Sequence, residues 1–242
     1  MSDKVVVYSG TRNVYPQMYV SLKSLLLNTE IDRVYLLIED DEFPFPIPSN
    51  VAIANVSEQK FFEPGSPNFN TPYSYMELLR CALGFILKDE KKVLWLDIDT
   101  IINDDISDLF EVDMAGFLYA GVPEPTKCKG IFNYINVGVC LCNLELLRDM
   151  HKEAELIYFL NRYQFNWPGQ DVINLLCQGG IRMIGSEYNS NSFVIPCTRP
   201  RVIHYAAMTV SEYKKHWAYQ KYEQIELPLE EVGEVGCLTG KK

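Results

Sequence analysis

The sequence predicts an α/β protein with a mostly parallel central sheet flanked by helices. Short β-branched runs alternate with longer stretches of helical periodicity to about residue 205, and those runs are apolar throughout. A strand with one wet face alternates polar and apolar side chains, whereas a run such as Val5 to Tyr8 does not, so both its faces must be covered. The balance of 48% hydrophobic and 22% charged residues supplies the core such a fold needs, and 242 residues fit one domain. We expect that domain over residues 1–222, followed by an acidic, aperiodic tail over residues 223–242.

Val5 to Tyr8 predicts the first strand, closed by Ser9-Gly10-Thr11. Pro16 and apolar residues at Met18, Val20, Leu22, Leu25 and Leu26 then predict a helix. Val34 to Ile38 reads as a second strand and Val51 to Val56 as a third, separated by a loop with prolines at 44, 46 and 48. Helical spacing returns over Ser74 to Leu87, and Val93 to Leu96 predicts a fourth strand that runs into Asp97-Ile98-Asp99. In the second half, Leu118 to Val122, Val137 to Leu141, Ile181 to Ile184 and Val202 to Tyr205 read as strands. Leu144 to Arg162 and Gln170 to Cys177 read as helices.

A formal charge of −10 repels phosphate backbones and anionic lipid, and no basic cluster is long enough to offset it, so we expect no nucleic-acid partner. Seven cysteines, an odd number without metal-ligand spacing, read as free buried thiols in a reducing compartment. The first apolar run is too short for a secretory signal and none approaches the ~18 residues of a membrane span. A cytoplasmic location follows as an expectation, with the oligomeric state open.

In a strand, residues i and i+2 share a face, so Asp97 and Asp99 are expected to project together while Ile98 turns into the core. Two carboxylates beyond the end of a buried parallel strand suit a hard cation that bridges to a diphosphate. The bare tripeptide arises about once by chance in a chain this long, and a solvated acidic turn is the plainer alternative. An acidic protein that binds a diphosphate must bring positive charge to it. Arg80, on the helix before the fourth strand, offers a forked permanent cation, unless it is a surface residue paired with Glu77.

The segment from Lys92 to Phe110, with Asp97-Ile98-Asp99 at its centre, resembles the metal-binding strand of glycosyltransferase family 8, the family of glycogenin and bacterial lipooligosaccharide galactosyltransferases. Five further blocks follow the family's order: Ser9 to Tyr15 with Val20 to Leu25, Tyr75 to Arg80, Ile135 to Asn143, Gly169 to Asn174, and Ile203-His204-Tyr205 followed by Lys215-His216-Trp217. The resemblance implies a GT-A type nucleotide-sugar-binding domain and a retaining transfer of a hexose from a UDP-sugar donor to a carbohydrate or other hydroxyl acceptor. It implies Mn²⁺, with Mg²⁺ as the substitute ion, held by Asp97, Asp99 and His204. Ser9, Gly10, Asn13 and Tyr15 are implied to hold the nucleoside, with Tyr15 stacked on the base. Arg80, Ile98 and Lys215 are implied at the rest of the donor. Asn136, Gln170, Glu124 and Asp171 are implied at the reacting end.

Each assignment has a plainer alternative on the residues alone. Without the resemblance His204 reads as a satisfied core histidine; Tyr15 has the alternative of a packing residue at a helix start, Lys215 of a solvated cation, and Asn136 and Gln170 of core or capping amides. The chain also departs from the family: Gly169 stands where an Asp is common, His216 where a Pro is, and the spacing from His204 to Lys215 is long. Two other functions stay open. One is a non-catalytic nucleotide-sugar-binding protein. The other is a haloacid-dehalogenase-like phosphatase with Asp97 as nucleophile, though that class expects Thr or Val where Ile101 stands.

Overall fold

The first strand, β1 (Val5–Ser9), is buried along its whole length and lies inside the sheet. The computed structural model describes residues 3–71, 74–125 and 133–228. Within these, β1 pairs in parallel with β2 (Arg33–Ile38) on one side and β4 (Lys92–Leu96) on the other, and β2 pairs in parallel with β3 (Val51–Asn55). The sheet has seven strands in the order β3-β2-β1-β4-β7-β6-β8, completed by β6 (Tyr119–Pro123), β7 (Ile135–Asn143) and β8 (Ile181–Met183). Only β7 runs against its neighbours, antiparallel to both β4 and β6, so the expected mostly parallel sheet is what forms.

Strand alternation sorts the apolar residues onto two faces. Val5, Val7, Val93 and Trp95 point into one core, and Val6, Tyr8, Leu94 and Leu96 into the other. The second core is covered by α1 (Tyr15–Asn28) through Met18, Leu22 and Leu25. The first is covered by α3 (Leu144–Asp149), α4 (Lys152–Arg162) and α5 (Pro168–Leu176), together with a short 3₁₀ segment, Tyr75–Cys81, and α2 (Leu83–Ile86). Covering both faces explains why the strands carry no polar alternation.

Two helical expectations need correction, and two helices past residue 205 were not expected. The stretch from Ser74 to Leu87 is a 3₁₀ segment and then a single α-turn, begun by Ser74 at φ 57° with its side chain accepting from the Met76 amide. The stretch from Leu144 to Arg162 is two helices, because His151 between them is left-handed at φ 52°. Past residue 205, α6 (Val210–Tyr213) and α7 (Trp217–Glu223) pack on α1 through Tyr205, Tyr213, Tyr219 and Tyr222. Lys23 on α1 donates to the carbonyls of Glu223 and Ile225 at 3.0 and 2.8 Å, so the described start of the expected tail is tied to the fold. Residues 229–242 lie outside the described residues. Among the described residues no helix is long and apolar enough to cross a membrane, and the five described cysteines are free.

Candidate active site

Beyond the carboxyl ends of β1 and β4, side chains from distant segments enclose a cavity of about 450 Å³, within the range of small-ligand sites. Gly10 shapes one side: a Cβ there would lie 2.6 Å from Val14 and 2.9 Å from Met18, so only glycine lets β1 turn this tightly into α1. Ser9 and Asn13 share that wall, and the Ser9 hydroxyl donates to Met76 O at 2.8 Å, joining it to the 3₁₀ segment.

Asp97, Ile98 and Asp99 follow the last residue of β4 and form a turn. The Thr100 amide and hydroxyl both donate to Asp97 O, at 3.2 and 2.8 Å, and hold that turn. The two carboxylates converge through this turn rather than through strand alternation. Ile98 packs against the core as expected and also contributes to the cavity wall. The chain then forms β5 (Thr100–Ile102), which pairs antiparallel with β9 (Val202–His204) and sets Thr100 opposite His204. That pairing delivers the imidazole: His204 Nε2 lies 3.3 Å from Asp99 Oδ1 and 3.9 Å from Asp97 Oδ2.

Asp97 Oδ1 is already engaged, accepting from Trp95 Nε1 at 2.7 Å and from Arg80 Nη2 at 3.0 Å. Arg80 is buried, not a surface helix residue; it also donates to Glu77 O and Val137 O at 2.9 and 2.7 Å, and its guanidinium lies 4.8 Å from the centre of the Trp95 ring. Asp97 therefore keeps one oxygen, Oδ2, for the centre.

A chain of hydrogen bonds decides which nitrogen of His204 carries its hydrogen. The Gly138 amide can only donate, and it does so to Asn136 Oδ1 at 3.0 Å, which turns Asn136 Nδ2 toward Glu124 at 2.9 Å. Asn189 Nδ2 donates to the same Asn136 Oδ1 at 2.8 Å, leaving Asn189 Oδ1 to accept from His204 Nδ1 at 2.9 Å. Nδ1 bears a hydrogen, and Nε2 faces two carboxylates, which favour positive charge at that point. Burial alone would lower the His204 pKa, but Asp99 and then Asp97 outweigh it and raise it. Burial would raise Asp99, and His204 holds it below the ordinary carboxylate range instead.

The same residues fit a divalent ion. Two carboxylate oxygens and one imidazole suit Mn²⁺ or Mg²⁺, their ligand atoms lie within 4.8 Å of one another, and oxygens around an ion with ~2.1 Å bonds stand about 3 Å apart. Gly138 keeps the space open: a Cβ there would lie 2.2 Å from His204 Cε1 and 2.9 Å from Asp97 Oδ2. The Nδ1–H to Asn189 bond orients the ring as outer partners of metal-binding histidines do.

The opposite end of the cavity is made of amides. Gln170 Nε2 donates to Glu124 Oε2 and to Tyr134 Oη, both at 3.1 Å, while Gln170 Oε1 accepts from the Val137 amide at 3.3 Å. Tyr134 in turn donates to Asp171 Oδ1 at 2.6 Å, and Asp171 Oδ2 accepts from the Trp167 amide at 2.9 Å.

Ser9, Gly10, Asn13, Arg80, Asp97, Ile98, Asp99, Asn136, Gln170 and His204 are thus brought to one cavity. Four other expectations are not met in place. Tyr15 is 1% exposed, packs 5.2 Å from Phe43 and donates to Asp40 at 2.8 Å, so it is a helix-start packing residue and Val14 takes the wall position. Glu124 is fully buried behind Asn136 and Gln170, where it orients their amides. Asp171 steadies Tyr134 and the first turn of α5 from outside the wall. Lys215 is exposed between α6 and α7. Asn189, Gly138 and Glu77 were not foreseen. Asn189 sits in an aperiodic polar stretch, and Gly138 in the interior of a strand was the available signal, since glycine there marks a close approach.

Comparison with known proteins agrees with this architecture. A Haemophilus influenzae protein named provisionally as a glycosyltransferase is 24% identical over 206 residues, 76% of this chain and 62% of its own length. Glycosyltransferase GlyB of Streptococcus pneumoniae is 21% identical over 197 residues, 78% of this chain and 48% of its own. The chain therefore spans between about half and three-fifths of these curated relatives. The galactosyltransferase LgtC, solved with donor and acceptor sugar analogs, shares the fold at a TM-score of 0.67 and 19% identity, over 90% of this chain and 93% of that one. The glycosyltransferase GlyE of Streptococcus pneumoniae does so at 0.68 and 19%, over 93% and 61%. These are GT-A folds, and the phosphatase alternative falls with them. The profile described as Glycosyl transferase family 8 matches residues 5–220, from β1 into α7, and the chain belongs to glycosyltransferase family 8.

Proposed function

We propose that this chain transfers a hexose, glucose or galactose, from a UDP-sugar to a carbohydrate or other hydroxyl acceptor, with retention of configuration and with Mn²⁺ held by Asp97, Asp99 and His204. The observation that carries the reading is the convergence of Asp97, Asp99 and His204 Nε2 at a cavity wall, in a protein of net charge −10. Bound there, the ion would supply positive charge to a diphosphate that these carboxylates alone would repel.

The chain's own residues divide the remaining work. Ser9, Gly10 and Asn13 line the part of the cavity at the end of β1, where the nucleoside would lie. Arg80 holds Asp97 Oδ1 and adds a permanent charge beside the diphosphate. Asn136 and Gln170 present amides to the sugar, with Glu124 and Asp171 fixing their orientation from behind. For Lys215 to meet the departing diphosphate, the segment from Ala206 to His216 must move inward, and Ala207, left-handed at φ 62° on the cavity rim, is a strained point in it.

Thermal unfolding tests whether metal and nucleotide bind as one unit. A ligand at ~100 times its dissociation constant adds about 2.7 kcal/mol, and each kcal/mol is worth roughly 2–4 °C at this size, so Mn²⁺ with UDP should raise Tm by about 5–10 °C. UDP in EDTA should give far less; an equal shift would overturn the metal-bridged site. Release of free UDP from UDP-sugars with Mn²⁺ separates catalysis from the non-catalytic binding reading that Gly169 keeps open. Binding without turnover across an acceptor panel would favour the latter.

A further inference from the structure

One carboxylate at the charged end of the cavity has no part in the chemistry above. Glu77, in the 3₁₀ segment before β4, lines the cavity, and its side chain is 18% exposed. Its Oε1 is buried with no hydrogen-bond partner. Its Oε2 lies 4.0 Å from Arg80 Nη2, too far for a hydrogen bond, because that nitrogen sits 3.0 Å from Asp97. Burial pushes the carboxyl pKa up to about 7, with Arg80 pulling the other way without making up the difference. A buried carboxylate with an unsatisfied oxygen is destabilising, and at a cavity wall a bound ligand can complete it.

Position 169 adds the second observation. This chain has glycine there. A Cβ on Gly169 would lie 3.3 Å from Arg80 Nε and 3.3 Å from Glu77 O, while the Gly169 amide is close enough to the Glu77 carboxylate to favour its charged form. Residues 77 and 169 therefore adjoin around Arg80. Because Arg80 Nη2 stands between Glu77 and the metal-facing Asp97, Glu77 lies next to the diphosphate end. The group attached directly to a diphosphate there is the sugar to be transferred.

We propose that Glu77, in the segment before β4, binds a hydroxyl group of the transferred sugar. A sugar hydroxyl donates to a carboxylate, which completes the unsatisfied oxygen. Because the carboxylate is held in one place, it accepts a hydroxyl of one configuration and penalises the epimer that turns the hydroxyl away. Glu77 is thus a donor-specificity residue. The inference rests on the donor reading above.

The test compares UDP with the UDP-sugar that the wild-type protein hydrolyses fastest from a panel of UDP-hexoses, UDP-N-acetylhexosamines and UDP-pentoses. All measurements are made with Mn²⁺, on wild type, Glu77→Gln and Glu77→Ala. KM reports binding where hydrolysis without acceptor is slower than donor release, which single-turnover kinetics check. Both variants should raise KM for the UDP-sugar about tenfold or more, the loss of one hydrogen bond to a charged group, and leave the Kd of UDP within about twofold. The variants should also discriminate less between that sugar and its epimers. A role confined to packing around Arg80 would weaken UDP and UDP-sugar alike. Equal losses, or no loss for either ligand, overturn the proposal while the donor reading stands. Failure of the wild type to hydrolyse any UDP-sugar overturns the donor reading and this proposal with it.

Discussion

At one end of the cavity Asp97, Asp99 and His204 turn two carboxylates and an imidazole nitrogen on one another across 3.3 and 3.9 Å. At the other, Asn136, Gln170 and Glu124 are joined by hydrogen bonds of 2.9 and 3.1 Å, and Asn189 links the network back to His204. The charged end is incomplete without a cation; the amide end is already paired. An end that waits for a ligand shows its contribution when the ligand binds, whereas a satisfied network contributes to the ligand-free fold and holds its neighbours in place. Substitutions at the two ends should therefore differ in kind as well as in size.

The largest effect is expected at Asp99. Asp99→Asn should lower UDP-sugar hydrolysis by ~10²-fold or more, erase the Tm shift given by Mn²⁺ with UDP, and leave the ligand-free Tm nearly unchanged. A soluble variant with near-full activity would break the comparison at its charged end. Next is Asn189→Ala, at the junction. Losing the acceptor for His204 Nδ1 should weaken Mn²⁺ binding ten- to a hundredfold in titration calorimetry, about the usual cost of an outer ligand partner. It should also cost about 1–3 kcal/mol of ligand-free stability, because Asn189 is fully buried and its loss leaves a donor unpaired. A loss in only one of the two measurements would separate ends that we describe as connected.

The smallest effect sharpens the comparison from outside the cavity. Glu153 accepts from the Gly84 amide at 2.6 Å, but its Oε2 is buried without a partner, and burial raises its pKa to about 7. It does not line the cavity described above. The native state keeps a proton there that the unfolded chain releases above ~4.5. Its contribution to stability is present below that pH and lost as pH rises through about 7. Glu153→Gln should remove this decline, so its Tm difference from wild type should grow from pH 5 to pH 8. A difference independent of pH would show that the carboxyl is satisfied by other means.

The strands of the first half were legible because a strand buried on both faces is an unbroken apolar run, as Val5 to Tyr8 and Val93 to Leu96 are. The broken helices were not. His151 adopts a left-handed conformation without being glycine, and the 3₁₀ geometry of residues 75–81 leaves helical spacing in place. Thr100–Ile102 is too short for any periodicity to register, yet its pairing with β9 brings His204 to the aspartates. Residue type and position after a buried strand pointed to Asp97 and Asp99, whereas His204 was indicated only by the family resemblance. Asn189 and Gly138 matter only through contacts with residues distant in sequence. Tyr15 shows the limit of position: one residue along the turn, Val14 faces the cavity and Tyr15 faces Phe43.

The pairing of β5 with β9 also bears on the order of events during synthesis. Asp97 and Asp99 leave the ribosome well before His204, and bringing the two segments together closes a loop of roughly 100 residues, an entropic cost met only once the intervening strands and helices have docked. A nascent chain thus carries an acidic turn with no imidazole beside it. An ion held by these residues could not nucleate this fold as zinc does in small metal-dependent domains; it would enter a finished one. Chelation should empty the site and leave the chain folded, so that in the cell occupancy follows the free metal concentration rather than the history of the molecule.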